Sequence, residues 1–281
     1  MTKELEKVII QNIKEIPEVP LSFLLSGGID SSLVLAFLRK VYPKLPISTF
    51  SLAKSNDYPD IVFARKVADL FDTDHHEIIL SEKEYDKFLG EYNEVKRYDF
   101  KGDINVYILC NFAKSFSNII VTGDGGDECF GGYWLHKFPL GHKENGTIKL
   151  FEEIHPKAGK YLKEMVNMGF RDFFYKRRSQ KEDYDAVWEY FVKIMAPKHL
   201  APLWHTAKVL NIEVYTPLFS ERLLNFIRTL PYTEKIGRKI EKKLALTYLP
   251  ESIVERESIG FDADLESVPN LKYPISKAEE G

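Results

Sequence analysis

A glycine-rich turn between a short apolar run and an amphipathic segment constrains the fold of this chain more than any other feature. The residues from Leu21 to Leu25 are mostly apolar and predict a buried strand. The turn Ser26-Gly27-Gly28 follows directly, and apolar residues then recur at helical spacing from Ser31 to Val41. Pro46 to Leu52 has the composition of a second strand. This order predicts two parallel strands joined by a crossover helix.

The alternation of helix and strand patterns continues along the first half of the chain. It predicts further helices at about residues 2–15, 58–71, 82–96 and 104–116, and further strands at about 76–80 and 118–122. We therefore predict an α/β fold in which a parallel sheet carries helices on both faces. In such sheets ligands bind outside the carboxyl ends of the strands, so the loops after Leu25, Leu52 and Thr122 should surround one site.

The second half of the chain has a different pattern. Strand signals fade from Phe138 onward, whereas Leu150 to Met165 and Ala186 to Met195 have helical spacing. We predict one domain over residues 1–281, with an α/β core at about 1–136 and a mainly helical part at about 137–265. The polar residues 266–281 are expected to form a disordered tail.

Charge and hydropathy exclude several classes of protein. Lys and Arg total 39 against 42 Asp and Glu, so the formal net charge of −3 gives no general attraction to nucleic acid. The aromatic and basic stretch Phe170–Arg178 suits single-stranded RNA, but it also suits a packed amphipathic helix, which the net charge favours. The longest apolar run, Leu33–Leu38, is far shorter than the roughly 18 residues that cross a bilayer. With only Cys110 and Cys129, and no secretion signal, we expect a cytoplasmic protein.

The seven residues Ser26-Gly27-Gly28-Ile29-Asp30-Ser31-Ser32, called the phosphate loop below, lie between the first strand and the helix that follows it. Free backbone N–H groups and the helix dipole attract anions at such a junction, and the three hydroxyls add donors. Asp30 would repel a bound polyphosphate unless a divalent cation lay between them, so it implies Mg²⁺. No Lys follows the glycines, which excludes a Walker A loop. The alternative is a tight turn without a ligand.

A second glycine-rich segment follows the predicted strand at 118–122. Thr122-Gly123-Asp124-Gly125-Gly126-Asp127-Glu128, called the acidic loop below, places three carboxylates among three glycines. In the predicted sheet this loop lies beside the phosphate loop. Clustered carboxylates need a cation or a proton to coexist, so together with Asp30 and a polyphosphate they predict a Mg²⁺ platform.

These two loops resemble the pyrophosphate-loop ATP hydrolases, whose signature is Ser-Gly-Gly-x-Asp-Ser. Four further segments narrow the resemblance to the synthetase domain of class B asparagine synthetases and the related β-lactam synthetases; they are Asp72–Glu77, Phe130–Tyr133, Glu213–Leu218 and Leu249–Phe261. The resemblance implies a Rossmann-like fold of the adenine nucleotide α-hydrolase type. It also implies an AMP-forming enzyme that uses ATP and Mg²⁺ to adenylate a small carboxylate and then forms an amide with ammonia.

The resemblance and the loop positions together assign candidate roles. The residues expected to bind ATP are Leu25, Ser26, Gly27, Gly28, Asp30, Ser31, Ser32, Leu52, Thr122 and Gly123. The resemblance assigns Asp30 and Asp127 to the metal ion and Asp124 to the acid/base position. A Lys before the Leu249-Pro250 segment stabilises charge on the transferring phosphorus in this family. Lys239 matches it best, with Lys242 and Lys243 as alternatives.

The chain departs from the family in the half that holds the acceptor. Tyr215 stands where the family has Arg, Ser220 where it has Asp and Ser258 where it has Lys. His199 and Pro202 replace the usual Asp and Arg of the preceding helix. Because a carboxylate substrate needs cationic and hydrogen-bonding partners, these changes weaken aspartate as the predicted acceptor.

The source of nitrogen is also open. The glutamine-using members carry a nucleophilic Cys after the initiator Met, whereas this chain has Thr2, so we expect no glutaminase domain. Free ammonia, or a separate glutaminase subunit, would then supply the amine. Two alternatives remain: an adenylating enzyme with another acceptor, such as a tRNA base or a cyclising amino acid, and an ATP-binding subunit of a separate glutaminase. No pattern predicts the oligomeric state.

Overall fold

The computed structural model describes residues 1–53, 55–97, 103–133, 136 and 183–256. The strands are β1 (Leu21–Leu24), β2 (Ile47–Ala53), β3 (Asp74–Ile79), β4 (Ile119–Thr122) and β5 (Glu213–Tyr215). The helices before β5 are α1 (Thr2–Ile13), α2 (Ile29–Val41), α3 (Pro59–Leu70), α4 (Glu82–Val95), α5 (Asp103–Ala113), α6 (Gly126–Cys129), α7 (Asp183–Tyr190) and α8 (Ala196–Leu210). Those after it are α9 (Glu221–Arg228), α10 (Tyr232–Lys235), α11 (Lys239–Ala245) and α12 (Glu251–Val254).

The five strands form one parallel sheet in the order β3-β2-β1-β4-β5. At the carboxyl end of β1, Leu24 pairs with Phe50 of β2 on one side and with Thr122 of β4 on the other. The strand order reverses between β1 and β4, and the crevice at such a reversal is where open α/β sheets bind ligands. The predicted α/β fold with a parallel sheet is confirmed.

Apolar side chains cover both faces of the sheet. On one face, Phe23 and Val121 pack in a core with α1, α2, α3, α9 and α11. On the other face, Phe50 and Ile120 pack in a second core with α4, α5 and α8. Neighbouring residues Ile120 and Val121 face opposite cores because successive side chains of a strand alternate in direction.

The predicted elements of the first half are confirmed to within a few residues. The edge strand β3 starts at Asp74, two residues before the predicted start at His76. The sequence pattern missed these two residues because they are polar and at least partly accessible to solvent. The described residues after Phe138 are mainly helical, as predicted. They also contain β5, a strand of three residues that pairs with β4 and that the sequence pattern did not indicate. Such a strand is too short to show an alternating pattern.

Several expectations fall on other parts of the chain. The predicted helix at 150–165, the stretch Phe170–Arg178 and the tail 266–281 lie outside the described residues. The predicted helix at 186–195 is helical throughout, ending in a π-helical turn at Phe191–Met195. Cys110 and Cys129 are buried free thiols. None of the described helices is both long enough and apolar enough to cross a bilayer.

Candidate active site

The phosphate loop leaves the end of β1 as a preformed turn. The Leu25 N–H donates to the Phe50 carbonyl at 2.8 Å, which extends the β1–β2 pairing by one residue. Ser26 Oγ then lies 3.0 Å from Ser31 Oγ and accepts a hydrogen bond from the Gly28 N–H at 3.3 Å. Gly28 caps α2, so the first turn of that helix opens toward the loop. A phosphate would meet hydroxyl and amide donors here.

Two residues of the phosphate loop, Gly27 and Ser32, are closely surrounded by protein atoms. Gly27 has φ +70°, and a side chain there would overlap the backbone of Phe63 and Ala64 on α3. Only glycine adopts this conformation without strain, and only glycine lets the loop lie against α3. Ser32 is fully buried, and its hydroxyl has no hydrogen-bond partner among the described atoms.

The acidic loop begins with a capped turn and touches the phosphate loop. Thr122 Oγ1 accepts a hydrogen bond from the Asp124 N–H at 2.9 Å and donates to the Asp124 carboxylate. A side chain at Gly123 would overlap the backbone of Ser31, and one at Gly126 would overlap the Asp30 carboxylate. These two glycines therefore allow the two loops to meet directly.

Asp30 and Asp127, one from each loop, bind the same cationic side chain. Arg238 Nη1 lies 2.6 Å from Asp30 Oδ1, and Nη2 pairs with Asp127 Oδ1. Arg238 Nη1 also lies 3.1 Å from Glu241 Oε2. The Arg238 side chain is 11% exposed, so this network is largely shielded from solvent. The sequence predicts that the two loops lie side by side, and both aspartates do contact one side chain, but Arg238 was not among the predicted site residues.

An unusual backbone holds Arg238 in place. Gly237 and Arg238 both adopt left-handed conformations, with φ of 62° and 59°. Their N–H groups donate to the carbonyls of Gly131 and Phe130, each at 2.8 Å. A left-handed conformation costs a residue such as Arg about 1–2 kcal/mol, so it persists only where other contacts fix it. The Phe130-Gly131 segment, already matched by resemblance, supplies those contacts.

Glu241 is the second residue that the sequence analysis missed. It is fully buried, and its Oε1 has no hydrogen-bond partner among the described atoms. The signal was present, because α11 buries Ile240, Leu244 and Ala245, and Glu241 falls on this apolar face. A carboxylate on the buried face of a helix requires a partner, and Arg238 is that partner.

The electrostatics of the site follow from burial among like charges. Burial raises the pKa of Asp127 to about 6, although the Arg238 guanidinium opposes the shift. Burial raises the pKa of Glu241 well above its usual value, and the charge of Asp30 adds to the shift. Burial alone would lower the pKa of Arg238, but the charges of Asp127, Asp30 and Glu241 outweigh it and raise that pKa. Arg238 therefore stays charged, whereas burial disfavours the ionised form of Asp127 and Glu241.

Asp124, the predicted acid/base residue, stands in a different environment. Its side chain opens to solvent, yet protein atoms crowd around the carboxyl and partly desolvate it. This desolvation raises the pKa of Asp124 to about 6, and the charges of Glu128 and Asp30 add to the shift. The hydrogen bond from Thr122 acts in the opposite direction.

Glu128, the third carboxylate of the acidic loop, belongs to a separate cluster. Its Oε1 lies 2.7 Å from His199 Nδ1 and accepts a hydrogen bond from the Tyr133 hydroxyl at 2.7 Å. Burial alone would raise the pKa of Glu128, but these hydrogen bonds outweigh it and lower the pKa. Tyr133 also stacks on Phe191 of the π-helical turn, with ring centroids 5.0 Å apart. The cluster ties the acidic loop to α8.

Among the described residues, the ion-pair partner of Lys239 is Glu234 and not a residue of either loop. The Lys239 side chain is half exposed and its ammonium lies 2.8 Å from Glu234 Oε1. Lys243 also pairs with Glu234, at 2.9 Å, and Lys242 pairs with Glu255 at 2.5 Å. Leu52 lies near the carboxyl end of β2, the strand that pairs directly with β1.

The residues that depart from the family pattern have structural partners. The Tyr215 hydroxyl donates to Glu213 at 3.2 Å. Ser220 Oγ caps α9 by accepting from the Leu223 N–H at 3.1 Å. His199 holds Glu128, and Pro202 is buried inside α8. Ser258 lies outside the described residues.

Asp30 and Asp127 are the residues of this site that could hold Mg²⁺. One oxygen of each contacts the same guanidinium, Asp30 Oδ1 at Nη1 and Asp127 Oδ1 at Nη2. Mg²⁺ takes oxygen ligands and is commonly held by one or two carboxylates plus substrate phosphates, so a pair suffices. Within the described ranges no group of three or more His, Cys, Asp or Glu side chains is arranged to hold a metal ion.

The adjacent His75 and His76 have hydrogen-bond partners within the protein. His75 Nδ1 lies 2.9 Å from Thr49 Oγ1, and His76 Nε2 lies 2.9 Å from Asp74 Oδ2. The two rings of the edge strand β3 therefore have different partners, Thr49 on β2 and Asp74 on β3, as expected for neighbouring residues of a strand.

Comparison with known proteins shows which family and which relatives this chain is similar to. The asparagine synthase family model matches residues 16–273. A putative asparagine synthetase (glutamine-hydrolyzing) of Methanocaldococcus jannaschii is 33% identical over 122 residues, which cover 42% of this chain and 24% of that protein. The human asparagine synthetase (glutamine-hydrolyzing) is 33% identical over 144 residues, covering 47% and 26%. The corresponding Gallus gallus protein is 37% identical over 127 residues, covering 41% and 22%. The matched part of the chain thus spans about a quarter of the length of these relatives.

Proposed function

This chain belongs to the asparagine synthase family, and from that premise we propose that it is an ATP-dependent ligase that forms an amide and releases AMP and pyrophosphate. A small carboxylate is the acceptor of the adenylyl group, with aspartate as the first candidate, and ammonia is the amine. One observation carries the proposal: the phosphate loop and the acidic loop meet, and Asp30 and Asp127 converge on one cation. ATP chemistry at the α-phosphorus needs such a site for the departing pyrophosphate.

In this proposal the phosphate loop binds the triphosphate of ATP. Ser26, Ser31 and the backbone of Gly27 and Gly28 supply donors, and the dipole of α2 favours the negative charge. Because Ser26 Oγ is already hydrogen-bonded to Ser31 Oγ and to the Gly28 N–H, little ordering accompanies binding. The substrate carboxylate then attacks the α-phosphorus, and pyrophosphate leaves.

Charge stabilisation comes from this chain through Arg238. Its guanidinium forms paired hydrogen bonds with phosphate oxygens better than a Lys ammonium does, and it lies between the two loops. We assign it the role that the sequence analysis gave to Lys239. Mg²⁺, when bound by Asp30 and Asp127, would neutralise part of the pyrophosphate charge.

The second half of the reaction requires a proton acceptor. Ammonia attacks the acyl carbon of the adenylate, the bond to AMP breaks, and the nitrogen must lose a proton. Asp124 is open to solvent at the edge of the acidic loop, and with a pKa of about 6 its carboxylate is largely ionised at neutral pH. We assign it the role of proton acceptor. Free ammonium or a separate glutaminase subunit would supply the amine.

The acceptor is best sought in a panel of carboxylates. The side chains at the altered positions, Tyr215, Ser220 and His199, are hydrogen-bonded within the protein. None of the three supplies the fixed charges that bind a free amino acid, so carboxylates other than aspartate belong in the test.

The deciding experiment is product analysis of the purified protein with Mg-ATP, ammonium and each carboxylate in turn. We expect AMP and pyrophosphate in equal amounts, formed only with one carboxylate and together with its amide. Asp30→Asn should abolish both products, whereas Lys87→Ala, an exposed change on α4, should leave them unchanged. ADP and phosphate, or no turnover with any acceptor and ammonium, would overturn the proposal.

A further inference from the structure

Arg238 occupies the position between Asp30 and Asp127 at which the two carboxylates converge. Its Nη1 binds Asp30 at 2.6 Å and its Nη2 binds Asp127, so one planar group joins the two loops. The guanidinium is 11% exposed and remains charged at every physiological pH. The site therefore already holds a cation before any ligand arrives.

Without a nucleotide, a metal ion is expected to bind weakly at such a site. To bind both carboxylates it must displace the guanidinium, which would then remain buried with fewer partners. A buried charge that loses its partner is strongly unfavourable. The backbone of Arg238 is also fixed by the hydrogen bond from its N–H to the Phe130 carbonyl, so only the side chain can move.

A nucleotide changes this balance. Phosphate oxygens are strong acceptors for the planar guanidinium fork, so Arg238 can exchange a carboxylate for a phosphate without losing its partners. The exchange leaves Asp30 and Asp127 free for a metal ion that the same phosphates bind.

Glu241 is placed to hold the guanidinium during this exchange. Its Oε2 lies 3.1 Å from Arg238 Nη1, and its buried Oε1 has no hydrogen-bond partner among the described atoms. Gly132 lets the backbone lie directly against this network, because a side chain there would overlap Asp127 Oδ1 and Arg238 Nε. Since Arg238 Nη1 contacts both Asp30 and Glu241, the guanidinium can leave Asp30 while it keeps its contact with Glu241.

We propose that Arg238 acts as a resident cation, anchored by Glu241, that keeps metal ions off Asp30 and Asp127 until a nucleotide is bound. Metal and nucleotide then enter this site together. The inference rests on the proposed ATP site, but it concerns the order of binding and not the reaction.

Titration with Mn²⁺ alone tests the first part directly. Mn²⁺ accepts the same oxygen ligands as Mg²⁺, and its electron paramagnetic resonance signal reports the free ion. We expect the wild-type protein to bind Mn²⁺ weakly without nucleotide, and Arg238→Gln to bind it at least about tenfold more tightly. Arg222→Gln, a change in a surface arginine, is the matched control and should behave as wild type. Tight binding of Mn²⁺ by the wild type, or no gain in Arg238→Gln, would overturn the proposal.

Two further variants keep the test decisive. If Arg238→Gln fails to fold, Arg238→Met also removes the charge but keeps a long unbranched side chain, and should bind Mn²⁺ more tightly than wild type. Glu241→Leu adds an apolar side chain to the apolar face of α11 and should fold. It should still exclude Mn²⁺ alone, but bind α,β-methylene ATP about fivefold more weakly in the presence of Mn²⁺. Unchanged nucleotide affinity would refute the anchoring role of Glu241.

The nucleotide arm separates this inference from the proposed function. Wild-type protein should bind α,β-methylene ATP with Mn²⁺ present and much more weakly with EDTA, as calorimetry can measure. Failure to bind the nucleotide under both conditions refutes the proposed function. Equal binding under both conditions refutes the coupling inferred here and leaves the ATP site intact.

Discussion

Two adjacent basic residues, Arg238 and Lys239, have opposite environments. Arg238 is buried against Asp30, Asp127 and Glu241, whereas the half-exposed Lys239 pairs with Glu234. Removal of one preorganised charged donor typically lowers a rate constant by about 100-fold or more, while an exposed ion pair contributes about 1 kcal/mol or less.

We therefore predict that Arg238→Gln lowers kcat/KM for AMP formation by about 100-fold, and that Lys239→Ala changes it by less than about threefold. Pyrophosphate release at varied ATP concentration measures both effects. A large loss in Lys239→Ala with little loss in Arg238→Gln would restore Lys239 as the charge-stabilising residue.

Asp124 links the acidic loop to the pH dependence of stability. Its pKa is raised from 3.8 to about 6 in the folded protein, so the folded state binds this proton more tightly than the unfolded state does. A carboxyl with a raised pKa stabilises the fold at low pH, and that contribution is lost as the pH rises from about 4 to 6. Asp124→Asn should therefore have a higher Tm than wild type at pH 7, with the difference disappearing near pH 4. Thermal melts at both pH values check this, and a lower Tm of Asp124→Asn at pH 7 would contradict it.

Residues in a glycine-rich loop are easier to select from the sequence than residues in a run of charges. Asp30 was selected from the phosphate loop and Asp127 through the family resemblance, and both contact the Arg238 guanidinium; their role in metal binding stays a prediction. Arg238 was overlooked because neighbouring charges suggested an exposed helix surface. Its role depends on a left-handed backbone and on contacts with Phe130 and Gly131, more than 100 residues away in the chain. No local pattern encodes such contacts.

At the scale of elements, the strands that the sequence predicted are those bounded by clear turns. β1 stands out because a glycine-rich turn ends it, and β4 because the acidic loop follows. β5 has three residues and exists because β4 offers its free edge, a tertiary cause that a sequence pattern does not record. α2 begins at Ile29, two residues earlier than predicted, because Gly28 serves as its cap.

The phosphate loop is also held from outside by an element near the end of the described chain. Just after α12, Arg256 Nη1 donates to the Gly27 carbonyl at 3.3 Å, and Nη2 pairs with Asp60 on α3. The Arg256 guanidinium lies 4.7 Å from the centroid of the Phe63 ring. Arg256 thus positions the loop without belonging to it.

Loss of this contact should affect both stability and nucleotide binding. Arg256→Ala leaves the Asp60 carboxylate without its cation, and we expect a loss of about 3 kcal/mol in the free energy of unfolding. The loosened loop should raise KM for ATP by about tenfold, with a smaller change in kcat. Denaturant titration and steady-state kinetics measure the two effects. Adding Asp60→Asn should recover part of the stability but not the KM, whereas recovery of both would mean that Arg256 has no positioning role.

At the scale of the whole molecule, the first and last parts of the described chain form one structure. The core that contains Phe23 of β1 also contains residues of α9 and α11, and β5 joins the sheet of the first half. Hydrophobic periodicity predicts which face of each helix is buried, but it does not say which helix covers it. The placement of α1 against the C-terminal helices α9 and α11 was for this reason beyond the sequence analysis.

Asn12 of α1 makes this long-range contact specific. Its Nδ2 donates to the Pro217 carbonyl and to Ser220 Oγ, each at 2.8 Å, and its Oδ1 accepts from Arg222 at 2.7 Å. Because Asn12 is buried, Asn12→Ala leaves polar groups without partners, and we expect the free energy of unfolding to fall by about 2 kcal/mol. Glu15→Ala, which removes only an exposed ion pair with Arg222, should cost about 0.5 kcal/mol or less.

Denaturant titrations followed by fluorescence and by circular dichroism should coincide for both variants, since one core spans both parts. Separate transitions in Asn12→Ala would show that the two parts fold independently.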